Sequence, residues 1–349
     1  MKLRASCVAT LLLASACVGG SIDGSSTTDP GTAPVDDEFP VSDHDPLFDG
    51  APANDSLPLL SSRAALPRQF SELVAEQSPV KSQGRRGVCS IFATVALMEH
   101  LYIKEGSVPD PDFSEQYLQW SAKNQVGAFA NTEGSNANVN LQAIRQFGIV
   151  TEDKSPYESL PWNTSNDPAC TGGEGLPTRC YTNGDPPQAA RDAQKWKLPR
   201  GRFLNNRSIK AHLRDKRTAV VVGFTFFYQA WNHRASTLPV NAEAWARGAV
   251  IYPNETDKQA SLEHRAGHAV VIVGWDDDHE EPIRDENGDP VLDASGNPVM
   301  EKGFYIFKNS WGTWSFGVDN PYGAGYGYIS MRYVDEYANA YVSDVPVLH

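Results

Sequence analysis

Three separated motifs supply a cysteine, a histidine and an asparagine, residue types that can act together on an acyl group. Cys89 follows a loop that contains glycine, His268 opens an apolar run, and Asn309 begins the run Asn-Ser-Trp-Gly. A thiolate can attack a carbonyl carbon, an imidazole can take up and return the proton, and an amide can orient the imidazole. The three motifs therefore indicate nucleophilic acyl transfer.

The residues after Cys89 predict a helix from Ser90 to about Glu105. Apolar side chains recur there at intervals of three and four residues: Ile91, Phe92, Val95, Met98, Leu101 and Tyr102. The N-terminus of a helix favours an anion, so Cys89 lies where the pKa of a thiol falls below its usual value of about 8.5. A lone cysteine is more often inert and buried, and the two downstream motifs decide in favour of a nucleophile.

Two predicted strands would carry the general base and the residue that orients it. His268 stands at the start of the apolar run Ala269–Val273, and Asn309 follows the apolar run Phe304–Phe307. Both runs have the length and composition of buried strands. Gly267 leaves room for a substrate beside the histidine, and Trp311 is placed to shield the hydrogen bond between imidazole and amide from water.

In this order and context, the three motifs resemble those of the papain (C1) family of cysteine peptidases, from about residue 66 to residue 341. The resemblance implies an α+β fold in two lobes. A helical left lobe would carry Cys89, a β-barrel-like right lobe would carry His268 and Asn309, and the active-site cleft would lie between them. It also implies a cysteine endopeptidase that acts on peptides or proteins through a thioester acyl-enzyme, without cofactor or metal.

The resemblance assigns further residues around the cleft. Gln83 corresponds to the glutamine whose side-chain amide completes the oxyanion hole beside the backbone N–H of Cys89. Gly134 and Ser135 correspond to the Gly-Gly strand that pairs with the substrate backbone before the scissile bond. Ser135 replaces the second glycine and alters that edge slightly.

Two positions next to Cys89 depart from the family pattern. Arg86 stands where a disulfide cysteine is usual, and Ser90 stands where tryptophan is usual. One family disulfide is therefore absent. We expect packing alone to hold the helix that follows Cys89.

Long spacings between the motifs predict three insertions, at about 158–200, 228–257 and 276–302. The first contains Cys170 and Cys180, which form either a disulfide or two free thiols. The third repeats an Asp-rich turn and predicts an exposed hairpin. A calcium loop is the alternative, although Gly296 stands where an EF-hand has its bidentate glutamate.

The N-terminal residues predict export. Residues 1–17 form a signal peptide that includes Cys7 and ends in a lipobox-like Ala-Ser-Ala-Cys. Cys17 is expected to carry lipid and anchor a bacterial lipoprotein to the membrane of the cell envelope, or else the site is an ordinary cleavage site of a secreted protein. Residues 18–65 are polar and acidic and predict a disordered tether, too short and too polar for an inhibitory prodomain. The catalytic domain would then span 66–349.

Composition narrows the class of function. The chain has 349 residues, 40% of them hydrophobic, enough for one substantial domain. A net charge of −13 argues against nucleic-acid binding, and we expect a monomer. Two alternatives stay open: an acyl-transfer relative such as an aminopeptidase or peptide ligase, and a catalytically silent surface-binding lipoprotein on the same fold.

Overall fold

Helices dominate the first half of the described chain, and strands dominate the second half. The computed structural model describes residues 38–62, 65–173 and 175–346. Its α-helices are α1 His44–Phe48, α2 Cys89–Glu105, α3 Glu115–Trp120, α4 Ala137–Gln146, α5 Thr178–Tyr181, α6 Gln188–Asp192, α7 Ile209–Lys216, α8 Ala242–Arg247, α9 Glu255–Glu263 and α10 Met331–Tyr337. Short 3₁₀ turns occur at Glu72–Glu76, Glu152–Lys154 and Asn206–Ser208, and a π-helical turn extends α3 over Ser121–Gln125.

The strands form one mixed sheet. They are β1 Ser42–Asp43, β2 Gln69–Phe70, β3 Arg202–Leu204, β4 Val220–Phe226, β5 Ala249–Val250, β6 Ala266–Pro282, β7 Met300–Lys308, β8 Tyr326–Ser330 and β9 Ala338–Val342. The order across the sheet is β3-β9-β4-β6-β7-β8-β5, and β1 and β2 both pair with β6. This helical lobe and sheet lobe confirm the predicted α+β, two-lobe class.

Helix α2 is the central element of the helical lobe and confirms the predicted helix. It begins at Cys89 and ends where Gly106 adopts a left-handed conformation, with φ of 90°. Glycine has no Cβ to clash there, so it closes the helix at little cost. Every predicted apolar position of α2 is buried, and the helix packs against β6 of the sheet lobe.

The ladder between β6 and β7 positions the other two predicted site residues. The two strands are antiparallel, with Val271 opposite Lys308. His268 therefore lies three residues before this pair, and Asn309 lies one residue after it at the end of β7. Apart from Lys308, whose ammonium donates to Ser78, the strand residues next to the pair are apolar and buried, which keeps His268 and Asn309 in a largely dry part of the sheet.

The third predicted insertion is an exposed hairpin, as expected. Strands β6 and β7 continue into it, and two tight turns, each headed by an aspartate, close it. Asp285 Oδ1 accepts the backbone amides of Asn287 and Asp289, and Asp293 Oδ1 accepts those of Ser295 and Asn297. These carboxylates therefore serve the turns, and no group of three or more His, Cys, Asp or Glu that could hold a metal occurs in the described residues.

The first insertion contains a disulfide between Cys170 and Cys180, at a Cα–Cα distance of 5.5 Å. The insertion also packs against the helical lobe. The backbone carbonyl of Tyr181 accepts hydrogen bonds from Arg86 and Gln119, and that of Thr182 accepts one from Gln116.

The prediction of a disordered tether over 18–65 is wrong for residues 38–62. These residues contain β1 and α1, and Phe39 and Leu47 among them are buried. Apolar side chains in this otherwise polar stretch find a cleft to fill, and burial outweighs the unfavourable composition. The predicted signal peptide, Cys17 and residues 18–37 lie outside the described part of the chain.

No helix within the described ranges is both long and apolar enough to cross a membrane.

Candidate active site

His268 and Asn309 form the hydrogen-bonded pair that the motifs predicted. His268 Nε2 donates to Asn309 Oδ1 at 2.8 Å, and the same oxygen accepts the backbone amide of Ser310 at 2.8 Å. Trp311 stacks on the imidazole, with ring centroids 4.4 Å apart and planes at 21°. The indole covers one face of the imidazole ring. The hydrogen bond to Asn309 and the stacking on Trp311 together fix the orientation of the ring.

The remaining imidazole nitrogen is the one available for proton transfer. His268 Nδ1 is buried and makes no hydrogen bond within the described structure. Burial lowers the pKa of His268 to about 3, against the opposing effect of the Asn309 hydrogen bond. The imidazole is therefore neutral at physiological pH in this state of the chain.

Cys89 is fully buried at the first position of α2 and is the only free cysteine among the described residues. Burial raises the pKa of its thiol to about 12, although the backbone amide of Ala269 donates to the sulfur and opposes the shift. A buried thiolate costs too much desolvation without a charged partner. The cysteine is thus a neutral thiol here, and the thiolate needed for attack requires that the site open to solvent.

Gln83 lies beside the nucleophile with every polar atom of its side chain engaged. Its Oε1 accepts the hydroxyl of Ser310 at 2.7 Å, which joins the two lobes. Its Nε2 donates to the carbonyl oxygens of Arg86 at 2.7 Å and Pro40 at 3.2 Å. One of the two amide hydrogens therefore holds the loop before Cys89, and the other points at the N-terminal segment.

Residues 38–48, which we call the covering segment, cross the cleft above Cys89 and His268. The carbonyl oxygen of Pro40 accepts two hydrogen bonds, from Gln83 Nε2 and from Trp311 Nε1 at 3.1 Å. Both donors come from predicted site residues on opposite lobes. The Pro40 carbonyl therefore takes up one amide hydrogen of Gln83, the side chain predicted to complete the oxyanion hole.

The covering segment then passes between the two walls predicted to bind substrate. Ser42 pairs with Gly267 through β1 and β6. A Cβ on Gly134, on the opposite wall, would lie 2.9 Å from Ser42 Oγ. Only glycine leaves room for a chain in this position, so both predicted glycines line an occupied groove.

Leu47 fills the end of this groove. It is 2% exposed, and a Cβ on Gly267 would lie 2.1 Å from its Cδ1. Gly223 of β4 contacts the same side chain. Two strands of the sheet lobe thus lack side chains where Leu47 inserts, which defines a small apolar pocket.

The other end of the covering segment is anchored by side chains of the second insertion. The imidazole of His233 donates from Nε2 to the Phe39 carbonyl at 2.9 Å. Arg234 forms an ion pair with Glu38 at 2.5 Å, and its guanidinium lies 5.1 Å from the centroid of the Phe39 ring. Phe39 itself packs edge-on against Trp311.

The structure brings together all eight residues predicted for the site. Gln83 and Trp311 donate to the Pro40 carbonyl, and His268 donates to Asn309. The backbone amide of Ala269, the residue after His268, donates to the Cys89 sulfur. Gly134 and Gly267 contact the covering segment, and Ser135 follows Gly134 with its Oγ 2.8 Å from Ser90 Oγ. Sequence reasoning missed Pro40 and Leu47. The apolar pairs that interrupt the polar stretch, Phe39-Pro40 and Leu47-Phe48, were the available signal.

Fold and site together define a class of protein: a two-lobed thiol hydrolase in which a cysteine at a helix N-terminus faces a histidine–asparagine pair across a cleft. The family model for papain family cysteine proteases matches residues 67–337. The chain therefore belongs to the papain family of cysteine proteases and is a cysteine-type peptidase. No curated protein matches its sequence.

Solved structures show the same fold at low identity. Xylellain, a cysteine protease from Xylella fastidiosa, is 18% identical with a TM-score of 0.53, over 84% of this chain and 96% of that chain. Digestive procathepsin L2 from Tenebrio molitor larval midgut is 20% identical with a TM-score of 0.51, over 86% and 78%. The cysteine protease and lectin-like domains of Cwp84, a surface-layer-associated protein of Clostridium difficile, are 18% identical with a TM-score of 0.51, over 89% and 62%.

Proposed function

We propose that the protein is a cysteine endopeptidase that cleaves peptide bonds through a thioester acyl-enzyme. The Cys89 thiolate adds to the scissile carbonyl, and the resulting oxyanion is held by Gln83 Nε2 and the backbone N–H of Cys89. The C–N bond then breaks, and the leaving amine takes the proton that His268 had accepted. Water, deprotonated by His268, hydrolyses the thioester to a carboxylate and restores the thiol.

One observation carries this proposal: the Pro40 carbonyl receives hydrogen bonds from Gln83 and from Trp311, whose ring stacks on His268. The site thus already polarises a peptide carbonyl of its own chain.

Endopeptidase activity is favoured over exopeptidase activity because a continuous chain crosses the cleft. The covering segment extends from Phe39, against Trp311, to Leu47, against Gly223, and passes the nucleophile between them. The groove therefore accepts a chain on both sides of the scissile position. The pocket around Leu47 supports a preference for branched aliphatic side chains there.

The covering segment keeps the enzyme latent. The wall of Gly134 and Ser135 resembles the wall that holds substrate residues before the scissile bond, yet the covering segment places there the residues that follow Pro40. The covering segment therefore runs through the groove in the opposite N-to-C direction from that expected of a substrate. The segment occupies the groove, and its burial of Cys89 and His268 also keeps thiol and imidazole neutral.

Displacement of the covering segment tests the proposal in the full chain. Leu47→Asp places a carboxylate in an apolar pocket without a partner, which disfavours the covered state. We expect two rates to rise at least tenfold. One is the hydrolysis of a fluorogenic peptide with leucine as the second residue before the scissile bond, and the other is the labelling of Cys89 by an epoxide. Leu59→Asp, further along the chain and outside the covering segment, is the matched control, because Leu59 is 66% exposed.

Two results would count against the proposal. A folded Leu47→Asp chain whose Cys89 reacts with the epoxide but cleaves no peptide in a library would indicate a binding protein. Peptide products joined to an added amine, in place of hydrolysis products, would indicate a ligase.

We further propose that the protein is exported and anchored through lipid on Cys17, because a cysteine follows a signal-peptide-like Ala-Ser-Ala. Stable anchoring requires more than one acyl chain. Cys17→Ser is expected to move the protein from the membrane to the soluble fraction. A wild-type protein that is soluble and unacylated by intact-mass measurement would replace lipidation with simple secretion.

A further inference from the structure

We propose that the ion pair between the buried Arg86 guanidinium and the half-buried Glu133 positions the oxyanion-hole loop, residues 83–89, against the substrate-binding wall at Gly134. The inference rests on the proposed function for its catalytic consequence. It concerns the position at which the sequence departs from its family. The expectation that packing alone holds the helix after Cys89 is wrong, because Glu99 within the helix pairs with Lys81 and Arg86 supplies a network of hydrogen bonds to the loop that begins it.

Arg86 reaches four separate segments from a fully buried position. Its Nε donates to Glu133 Oε1 at 2.9 Å and its Nη1 to Gln116 Oε1 at 3.0 Å. Backbone carbonyls of the first insertion accept the rest: that of Glu158 from Nη1 at 3.2 Å and that of Tyr181 from Nη2 at 3.0 Å. The planar guanidinium fixes these directions simultaneously, which a lysine ammonium cannot do.

Glu133 joins the two parts of the site. Its Oε1 receives Arg86, and its Oε2 accepts the backbone amide of Gly87 at 2.8 Å, two residues before Cys89. The next residue along the chain is Gly134, the wall of the groove. One carboxylate therefore sets the distance between the loop that stabilises the oxyanion and the wall that holds the substrate.

The backbone of Arg86 completes the connection to the oxyanion hole. Its carbonyl accepts one amide hydrogen of Gln83 at 2.7 Å, which turns the other hydrogen towards the reacting carbonyl. Tyr157, whose ring lies 5.4 Å from the Arg86 guanidinium, donates its hydroxyl to the Gln83 carbonyl at 2.8 Å. Loss of the ion pair would free both ends of Gln83 from their support.

Arg86 and Glu133 are positioning residues, since neither touches the carbonyl bound in the cleft. Their predicted effect falls mainly on kcat, because the oxyanion forms only after attack. A role in stability alone would lower the melting temperature and the yield of titratable Cys89, and would leave kcat per titrated site unchanged. The two roles therefore separate in one experiment.

The test uses the full chain with Leu47→Asp as the parent, so that the cleft is open in every variant. Glu133→Gln keeps the size of the side chain and removes its charge. We expect kcat per titrated Cys89 to fall about 10- to 100-fold, by analogy with the loss when hydrogen-bond partners that orient metal ligands are removed. A kcat within twofold of the parent would overturn the inference, whatever the melting temperature.

Glu336→Gln is the matched control. Glu336 accepts Arg332 Nε at 3.0 Å, the same atom pair as in the buried case, but both side chains are exposed. We expect kcat, KM and melting temperature of this variant to equal those of the parent. A loss of kcat as large as that of Glu133→Gln would show that the readout reports charge removal in general, and would overturn the inference.

A second measurement distinguishes failure of this inference from failure of the proposed function. Hydrogen exchange of the Gly87 amide, followed in the Cys89→Ser chain, needs no catalysis. Glu133→Gln is expected to accelerate that exchange at least tenfold. If the parent cleaves no peptide, the proposed function fails, and exchange alone decides: unchanged protection of Gly87 would overturn the positioning role.

Discussion

The two sides of the cleft hold their reactive residues by different physical means. On the side of the nucleophile, ion pairs hold the loop before α2 and the body of that helix: Arg86 pairs with Glu133, and Lys81 contacts Glu99 of α2 at 2.7 Å. On the side of the base, rings surround His268. Trp311, Trp231, Phe224 and Phe226 have centroids within 6.0 Å of the imidazole centroid.

The difference follows from the backbone that each side must hold. The nucleophile ends an irregular loop, whose amides and carbonyls need partners with fixed directions, and charged hydrogen bonds provide these. The base lies in a strand whose backbone is already paired. Rings there add buried area and exclude water, which disfavours the charged imidazolium in the covered state.

The chemistry itself should show the largest effects, and unequal ones. In the open Leu47→Asp chain, we expect Cys89→Ser or His268→Ala to lower kcat/KM by 10³ or more. Asn309→Ala should cost less, about 10- to 100-fold, because Asn309 orients the base and transfers no proton. The check is kcat/KM for the three variants. Equal losses for Asn309 and His268, in folded proteins, would argue against this division of roles.

Removal of one ring tests the aromatic side of the comparison. Trp231 is fully buried and lies 5.3 Å from His268 between ring centroids. We expect Trp231→Ala to lower the free energy of unfolding by about 3–5 kcal/mol, as measured by chemical denaturation. Trp314→Ala is the control, because Trp314 is 57% exposed, and less than about 1 kcal/mol is expected. Similar losses of unfolding free energy for the two variants would show that the rings around His268 do not stabilise this side of the cleft.

The two sides should also respond to pH in opposite directions. Burial raises the pKa of Glu115 from 4.5 to about 8, with the charge of Glu99 adding to the shift and Lys81 opposing it. Burial lowers the pKa of His268 from 6.5 to about 3. Between pH 4.5 and 8 the folded chain retains the Glu115 proton that the unfolded chain loses, so stability from this group falls as pH rises. Between pH 3 and 6.5 the unfolded chain binds the His268 proton, so stability from this group rises with pH.

Single variants separate the two contributions to the pH dependence of the free energy of unfolding. One titrating group contributes a slope of at most about 1.4 kcal/mol per pH unit. Glu115→Gln should flatten the decline between pH 6.5 and 8, where folded His268 is already neutral and the unfolded histidine loses its remaining protons, so that its contribution levels off. His268→Phe should flatten the rise between pH 3 and 4.5. Unfolding free energies across the two windows provide the measurement. A Glu115→Gln chain with the wild-type slope above pH 6.5 would contradict the assignment.

A substitution in the exposed hairpin between β6 and β7 gives the smallest expected effect on stability and activity, against which the two sides of the cleft can be compared. Leu292 is 58% exposed at its tip. Leu292→Ser should change the free energy of unfolding by less than about 0.5 kcal/mol and leave peptide cleavage unchanged. A larger loss would show that the hairpin supports the cleft, and that the comparison omits a third region.

The elements with a strong local pattern were predictable. The spacing of apolar residues predicted helix α2. Continuous apolar runs next to His268 and Asn309 predicted strands β6 and β7. Arg86 was also identified as unusual, yet its partner was not. Glu133 lies 47 positions further along the chain, and no periodicity relates two residues that meet only after α2 and the Gly134 wall have packed.

The sequence by itself determined the chemistry of this protein, because the residue types at 83, 89, 268 and 309 and their local runs already specify nucleophile, base, orienting amide and oxyanion donor. Tertiary structure alone decided the state of that chemistry. A polar stretch became the covering segment because the cleft offered Phe39 and Leu47 apolar sites and offered Pro40 two donors. Burial then determined that thiol and imidazole are neutral, since desolvation depends on what lies above a residue in space and not on its neighbours in the chain.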